Sequence, residues 1–127
     1  MDNITLTHTF LSSPDQDAAV DFYVRVLGLE VRTDVVMDGI GMRWLTVGTA
    51  EQPELEINLS NPADVPGGDA HKAGTLIFSI PDCQAAFDHV KDAGAEVEQE
   101  PTKQPYGVID CSFLDPNGNH VRFSQVL

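Results

Sequence analysis

His8-Thr9-Phe10-Leu11-Ser12-Ser13-Pro14-Asp15 is written a second time as Thr75-Leu76-Ile77-Phe78-Ser79-Ile80-Pro81-Asp82. The spacing from residue 8 to residue 75 is 67, and at that offset Ala18, Ala19 and Asp21 answer to Ala85, Ala86 and Asp88. One deletion later the offset becomes 66. Gly28-Leu29-Glu30-Val31 then answers to Gly94-Ala95-Glu96-Val97, and Leu55-Glu56-Ile57 falls opposite Val121-Arg122-Phe123. A period this long exceeds a solenoid repeat and fits a duplicated module within one domain.

Each copy reads as a strand, a helix and three more strands. Residues 4–12 alternate around Leu6, Phe10 and Leu11, and the strand stops at Ser13-Pro14. Ser13 as N-cap, Pro14 in the first helical position and Gln16 completing a capping box start a helix there. Its buried stripe is Ala19, Phe22, Tyr23 and Val26, and Gly28 ends it. Strands are expected at about 29–36, 42–48 and 54–60. The second copy gives a strand at 74–80, a helix at about 82–93 and strands near 95–99, 108–114 and 120–126. A Pro/Gly-rich seam at 61–73 joins copies of about 4–60 and 74–126. The fold class is α+β: tandem βαβββ modules forming a curved, mostly antiparallel mixed-sheet cup.

A chain of 127 residues with 42% hydrophobic side chains can bury one ordinary core. A net charge of −13, from 20 acids against 7 bases, opposes a phosphate backbone, so nucleic acid is excluded as a partner. No apolar run is long enough for a membrane span, and no signal peptide is read; the chain is expected in the cytoplasm. Cys83 and Cys111 lack C-x-x-C spacing and are expected as buried thiols.

Strand alternation divides the side chains between two faces. Leu11, Ile57, Leu59, Leu76, Phe78, Val121 and Phe123 belong to the face under the helices. The opposite face carries His8, Phe10, Trp44, Thr46, Glu56, Asn58, Thr75, Asp110, Ser112, His120 and Arg122. A cup lined this way has the composition of a small-molecule site, with Trp44 as a stacking surface and Tyr106, between Pro105 and Gly107, as part of a lid.

The doubled βαβββ order resembles the vicinal oxygen chelate family of glyoxalase I, bleomycin-resistance proteins, fosfomycin-resistance enzymes and extradiol dioxygenases. So do His8-Thr9-Phe10-Leu11, the run Phe22-Tyr23-x-x-Val26-Leu27-Gly28-Leu29 and the turn Asp115-Pro116-Asn117-Gly118-Asn119. The resemblance covers residues 4–126 and implies a homodimer with a ligand in each cup. The family's enzymes usually hold a divalent metal from four strand positions, which carry over to His8, Glu56, Thr75 and Arg122. A threonine hydroxyl is a poor ligand and a guanidinium has no lone pair to give, so half of that set is missing. Arg122 is expected instead to neutralise Glu56, with Asp110 as the other partner open to it.

The resemblance and the missing ligands together imply a small-molecule-binding protein without a metal. Its ligand is expected to be a cationic aromatic molecule of antibiotic type, drawn by the acidic charge. The alternative is a glyoxalase-like lyase, isomerase or dioxygenase using one divalent ion on His8 and Glu56, completed by His120 or water. A metal-free enzyme with Glu56 or His8 as general base is the third reading.

Overall fold

The computed structural model describes residues 1–64 and 72–127; the seam residues His71, Gly67 and Gly68 lie outside them. The chain divides into two compact units, Met1–Lys72 and Ala73–Leu127, which are the two modules. The first runs β1 (His8–Ser12), α1 (Gln16–Val20) continuing as a π-helical turn (Asp21–Val26), β2 (Glu30–Met37), β3 (Met42–Gly48) and β4 (Glu56–Ser60). The second runs β5 (Thr75–Ser79), α2 (Cys83–Asp92), β6 (Glu96–Lys103), β7 (Val108–Leu114) and β8 (His120–Val126). Each module folds into a four-stranded mixed sheet, in the orders β1-β4-β3-β2 and β5-β8-β7-β6. The pairs β1–β4 and β5–β8 are parallel and the others antiparallel, so the helix supplies the crossover a parallel pair needs.

The first helix starts later than its sequence suggests. Its N-cap is Asp15, whose carboxylate accepts from the Ala18 amide at 3.0 Å, and Asp82 does the same for Ala85 in α2. Ser13 is buried and its hydroxyl donates to the Leu11 carbonyl instead. Gln16 does not close a capping box; its amide nitrogen reaches out of α1 to the carbonyls of Leu59 (2.8 Å) and Arg43 (3.3 Å). A glutamine that can satisfy two strand carbonyls contributes more there than on its own helix end.

The π-helical turn is closed by the Leu27 amide donating to the Phe22 carbonyl, and Leu29 donates back to Tyr23 across Gly28. Gly28 has φ 79°, and Gly94 after α2 has φ 94°, the left-handed conformation that ends helices and favours glycine.

Apolar side chains fill the helix side of each sheet. Leu11, Tyr23, Leu45, Val47 and Leu59 are buried in the first module; Phe87, Val90, Phe113, Val121 and Phe123 are buried in the second. Phe87 and Phe123 flank Phe113 at 5.3 and 6.2 Å between ring centres, contacts worth about 1 kcal/mol each beyond the area they bury.

Strand β6 runs on to Lys103, past the expected stop near 99. Pro101 is tolerated because β6 is an edge strand and needs no amide there. Both modules break register at the same place, between Val31 and Thr33 in β2 and between Val97 and Gln99 in β6, leaving Arg32 and Glu98 as the extra residues.

Candidate functional site

The parallel ladders settle which positions of the two modules are equivalent. His8 pairs with Glu56, Phe10 with Asn58, and Ser12 with Ser60; Thr75 pairs with His120, Ile77 with Arg122, and Ser79 with Ser124. With His8 matched to Thr75, the counterpart of Arg122 is therefore Asn58, and that of Glu56 is His120. The offset of 66 carried into the fourth strand is corrected to 64. Leu55-Glu56-Ile57-Asn58-Leu59 alternates throughout, so a slip of two residues leaves every side chain on its expected face and the pattern cannot detect it.

In the first module the face away from α1 carries an aromatic wall. Trp44 on β3 lies 6.2 Å from Phe10, nearly edge-on at 77°, and 6.2 Å from the His8 ring at 56°. A recess of about 190 Å³ opens beside it, bounded by Phe10, Met42, Arg43, Trp44, Asn58, Ser60, Asn61 and Asp64. Drug-sized sites run from roughly 300 Å³ upward, so this recess takes one ring system of a ligand. Asn58 and Ser60 are buried at its floor and offer amide and hydroxyl groups.

Glu56 is held within its own module. Thr46, fully buried, donates its hydroxyl to Glu56 Oε1 at 2.7 Å, and His8 Nε2 lies 3.3 Å from Oε2. His8 Nδ1 is 3.0 Å from the Thr7 hydroxyl, so both ring nitrogens are engaged.

The equivalent face of the second module is polar. Arg122 Nη1 lies 3.2 Å from Asp110 Oδ2 and donates to Gln99 Oε1 at 3.1 Å. Its charge partner is thus Asp110, as Glu56 has His8. Asp110 Oδ1 also accepts from Gln99 (2.8 Å) and Gln104 (3.0 Å). Burial pushes the Asp110 carboxyl up, but the bonds from Gln104 and Gln99 and the Arg122 guanidinium outweigh it and hold it below the usual aspartate range. Next to this cluster, Glu98 accepts from Ser112 at 3.0 Å and lies 2.6 Å from His120 Nδ1. Thr75 sits beside His120 in the ladder.

The structure thus groups His8, Phe10, Trp44, Glu56 and Asn58 in the first module, and Thr75, Asp110, His120 and Arg122 in the second. Tyr106 stands apart in the β6–β7 turn, 70% exposed. Glu98, Gln99 and Gln104 belong to the second cluster and were not singled out from sequence; the bulge in β6 takes Glu98 out of the alternation that would have flagged it. Cys83 and Cys111 are buried thiols with sulfurs 3.4 Å apart, and burial first pushes Cys111 up to about 12, which keeps it protonated.

The donors do not fit a divalent metal. In the corrected register the fourth strand position is His120, but Thr75 brings only a hydroxyl, both nitrogens of His8 are engaged, and Arg122, two residues along, is committed to Asp110 and Gln99. Among the described residues no three His, Cys, Asp or Glu side chains converge on one point. Nor is any helix among them long and apolar enough to cross a membrane.

The sequence profile of the Glyoxalase/Bleomycin resistance protein/Dioxygenase superfamily matches residues 5–123. A probable lactoylglutathione lyase of Vibrio cholerae serotype O1 is 28% identical over 131 residues, covering 98% of this chain and 93% of that protein. Among solved structures, TnmS3, an antibiotic binding protein from Streptomyces sp. CB03234, is 25% identical with a TM-score of 0.80, covering 100% of this chain and 99% of that one. A member of the same superfamily from Sphaerobacter thermophilus superposes with a TM-score of 0.84 at 24% identity over 98% of this chain and 99% of its own, which shows the shared fold.

Proposed function

Because the chain belongs to the Glyoxalase/Bleomycin resistance protein/Dioxygenase superfamily, we propose that it is a metal-free binding protein, a cytoplasmic homodimer that sequesters a planar, cationic aromatic molecule of antibiotic type. The observation that carries this reading is the recess beside Trp44 and Phe10, an apolar slot with Asn58 and Ser60 at its floor. Stacking on an indole flanked by a second ring suits a flat ligand, and a net charge of −13 favours its encounter when it is cationic. The antibiotic-binding relative supports sequestration, and the hydroxyl of Thr75 at a ligand position, with the fixed cation of Arg122 nearby, weighs against the lyase chemistry of the Vibrio relative.

Trp44 is the only tryptophan, so its fluorescence is a built-in reporter. Protein dialysed against chelator is titrated with proflavine, a planar cation, and with 9-anthracenecarboxylate, a planar anion. The expected result is saturable 1:1 quenching, about tenfold tighter for the cation, weakening in high salt, with proflavine recovered unchanged. Absence of saturable quenching, or turnover of the methylglyoxal–glutathione hemithioacetal by nickel- or zinc-loaded protein, overturns the reading. Light scattering at micromolar concentration tests the dimer.

A further inference from the structure

We propose that the second module holds a proton-accepting site for a weakly acidic hydroxyl of a ligand, a phenol or an enol. His120 Nε2 takes the proton, Glu98 is the positioning residue, and Arg122 faces the anion left behind. No residue of the Trp44 recess enters this site, so it stands or falls independently of cation binding.

The argument begins with the bulge. Glu98 is the extra residue between Val97 and Gln99, and bulges re-aim a side chain. Ser112, 1% exposed, donates to Glu98 Oε1 and fixes the carboxylate; the other oxygen lies 2.6 Å from His120 Nδ1. A carboxylate only accepts, so Nδ1 carries the imidazole proton and the lone pair of the neutral ring is on Nε2. That nitrogen has no hydrogen-bond partner among the described residues, and the His120 side chain is 45% exposed. His8 in the first module, with both nitrogens engaged, has no such opening.

Arg122 is the next residue on the same face of β8, about 7 Å along the strand from His120. Nη1 is anchored by Gln99 and Asp110, and the guanidinium keeps further N–H donors on Nε and Nη2. The groups facing His120 are then Glu98 from β6, Ser112 from β7, Thr75 at the paired position of β5, and Arg122 on its own strand with Asp110 behind it. When a ligand hydroxyl meets Nε2, its O–H bond breaks and an N–H bond forms on the imidazole. The electron pair stays on the ligand oxygen, the imidazolium faces Glu98, and the oxyanion faces Arg122.

The probe is 3-nitrophenol, a weaker acid that stays protonated in neutral buffer, where an ordinary imidazole is neutral, with 3-nitroanisole as the control that has no proton to give. The long-wavelength phenolate band should grow saturably with added protein at millimolar probe. His120→Gln and His120→Phe should abolish it, and Glu98→Gln should lower it about tenfold with unchanged circular dichroism. Ring nitrogen chemical shifts should show the Nδ1–H tautomer of His120 in the unaltered chain and its loss in Glu98→Gln, a change that a purely structural role would not produce. No saturable band, a band retained in a folded His120 variant, or a wild-type Nε2–H tautomer would sink the proposal.

Discussion

Where the first module carries Trp44, the second carries Asp110; Phe10 is answered by Ile77, Asn58 by Arg122, Glu56 by His120, and Thr46 by Ser112. The strand order and the bulge are the same in both, yet one face has become an aromatic slot and the other a network of charges and amides. A hydroxyl steadies a carboxylate in each: Thr46 serves Glu56, and Ser112 serves Glu98. The carboxylates come from different strands, β4 in one case and the β6 bulge in the other. Duplication thus fixed the ladder and left the chemistry of the open face to individual side chains, which is how one scaffold hosts different sites.

The modules also close their last turns differently, and there substitution should cost most. In the second, Asp115 is buried, accepts from the amides of Asn117 and Asn119 and from the Asn119 side chain, and Asn119 in turn binds the Gly74 amide. Asp115→Ala orphans several buried donors and should cost about 3 kcal/mol in denaturant unfolding. The first module ties its β3–β4 loop with Arg32, which donates to the carbonyls of Pro53 and Thr49. A Cβ on Gly48 would come within 2.8 Å of the Arg32 guanidinium and 2.9 Å of the Leu55 carbonyl, so Gly48→Ala should cost about 2 kcal/mol.

Asp110→Asn probes the polar cluster and should cost about 2 kcal/mol at neutral pH. Because the folded Asp110 pKa is depressed, its stabilisation is fully present above the unfolded-state value near 3.8 and fades as pH falls through the lower folded one. The gap between the variant and the unaltered chain should therefore close in strong acid. If it is flat with pH, the Arg122 contact contributes little. The smallest effect is expected at Arg43, which bridges Asp34 and Asp17 on the helix side of the first module; its counterpart in the second is Ile109. Arg43→Ala should shift stability by less than about 1 kcal/mol, and less still in high salt, because these carboxylates are exposed.

Much of the fold was legible because its punctuation is repeated. Pro14-Asp15 and Pro81-Asp82 precede both helices and Gly28 and Gly94 end them, residues chosen by backbone geometry rather than by packing. The same echo contained the correct N-cap, since Asp15 answers to Asp82, whereas Ser13 answers to Ile80, which cannot cap. The candidate site was legible only by face. Alternation assigns Trp44, Thr46 and Asn58 to one side of the sheet, but it is blind to shifts of two, which hid the match of Asn58 to Arg122. Partners were less readable still, because Glu98 reaches His120 from two strands away through a bulge, and Gln99 and Gln104 meet Asp110 only once β6 lies beside β7.

A side chain at a bulge is exempt from the inside-outside bargain that constrains its neighbours. Arg32 and Glu98 occupy that exempt position and bear opposite charges, one binding carbonyls and the other an imidazole. The position therefore behaves as a socket in the sheet, accepting a cation or an anion while the residues on either side, Val31 and Thr33 in one module and Val97 and Gln99 in the other, keep their ladder partners.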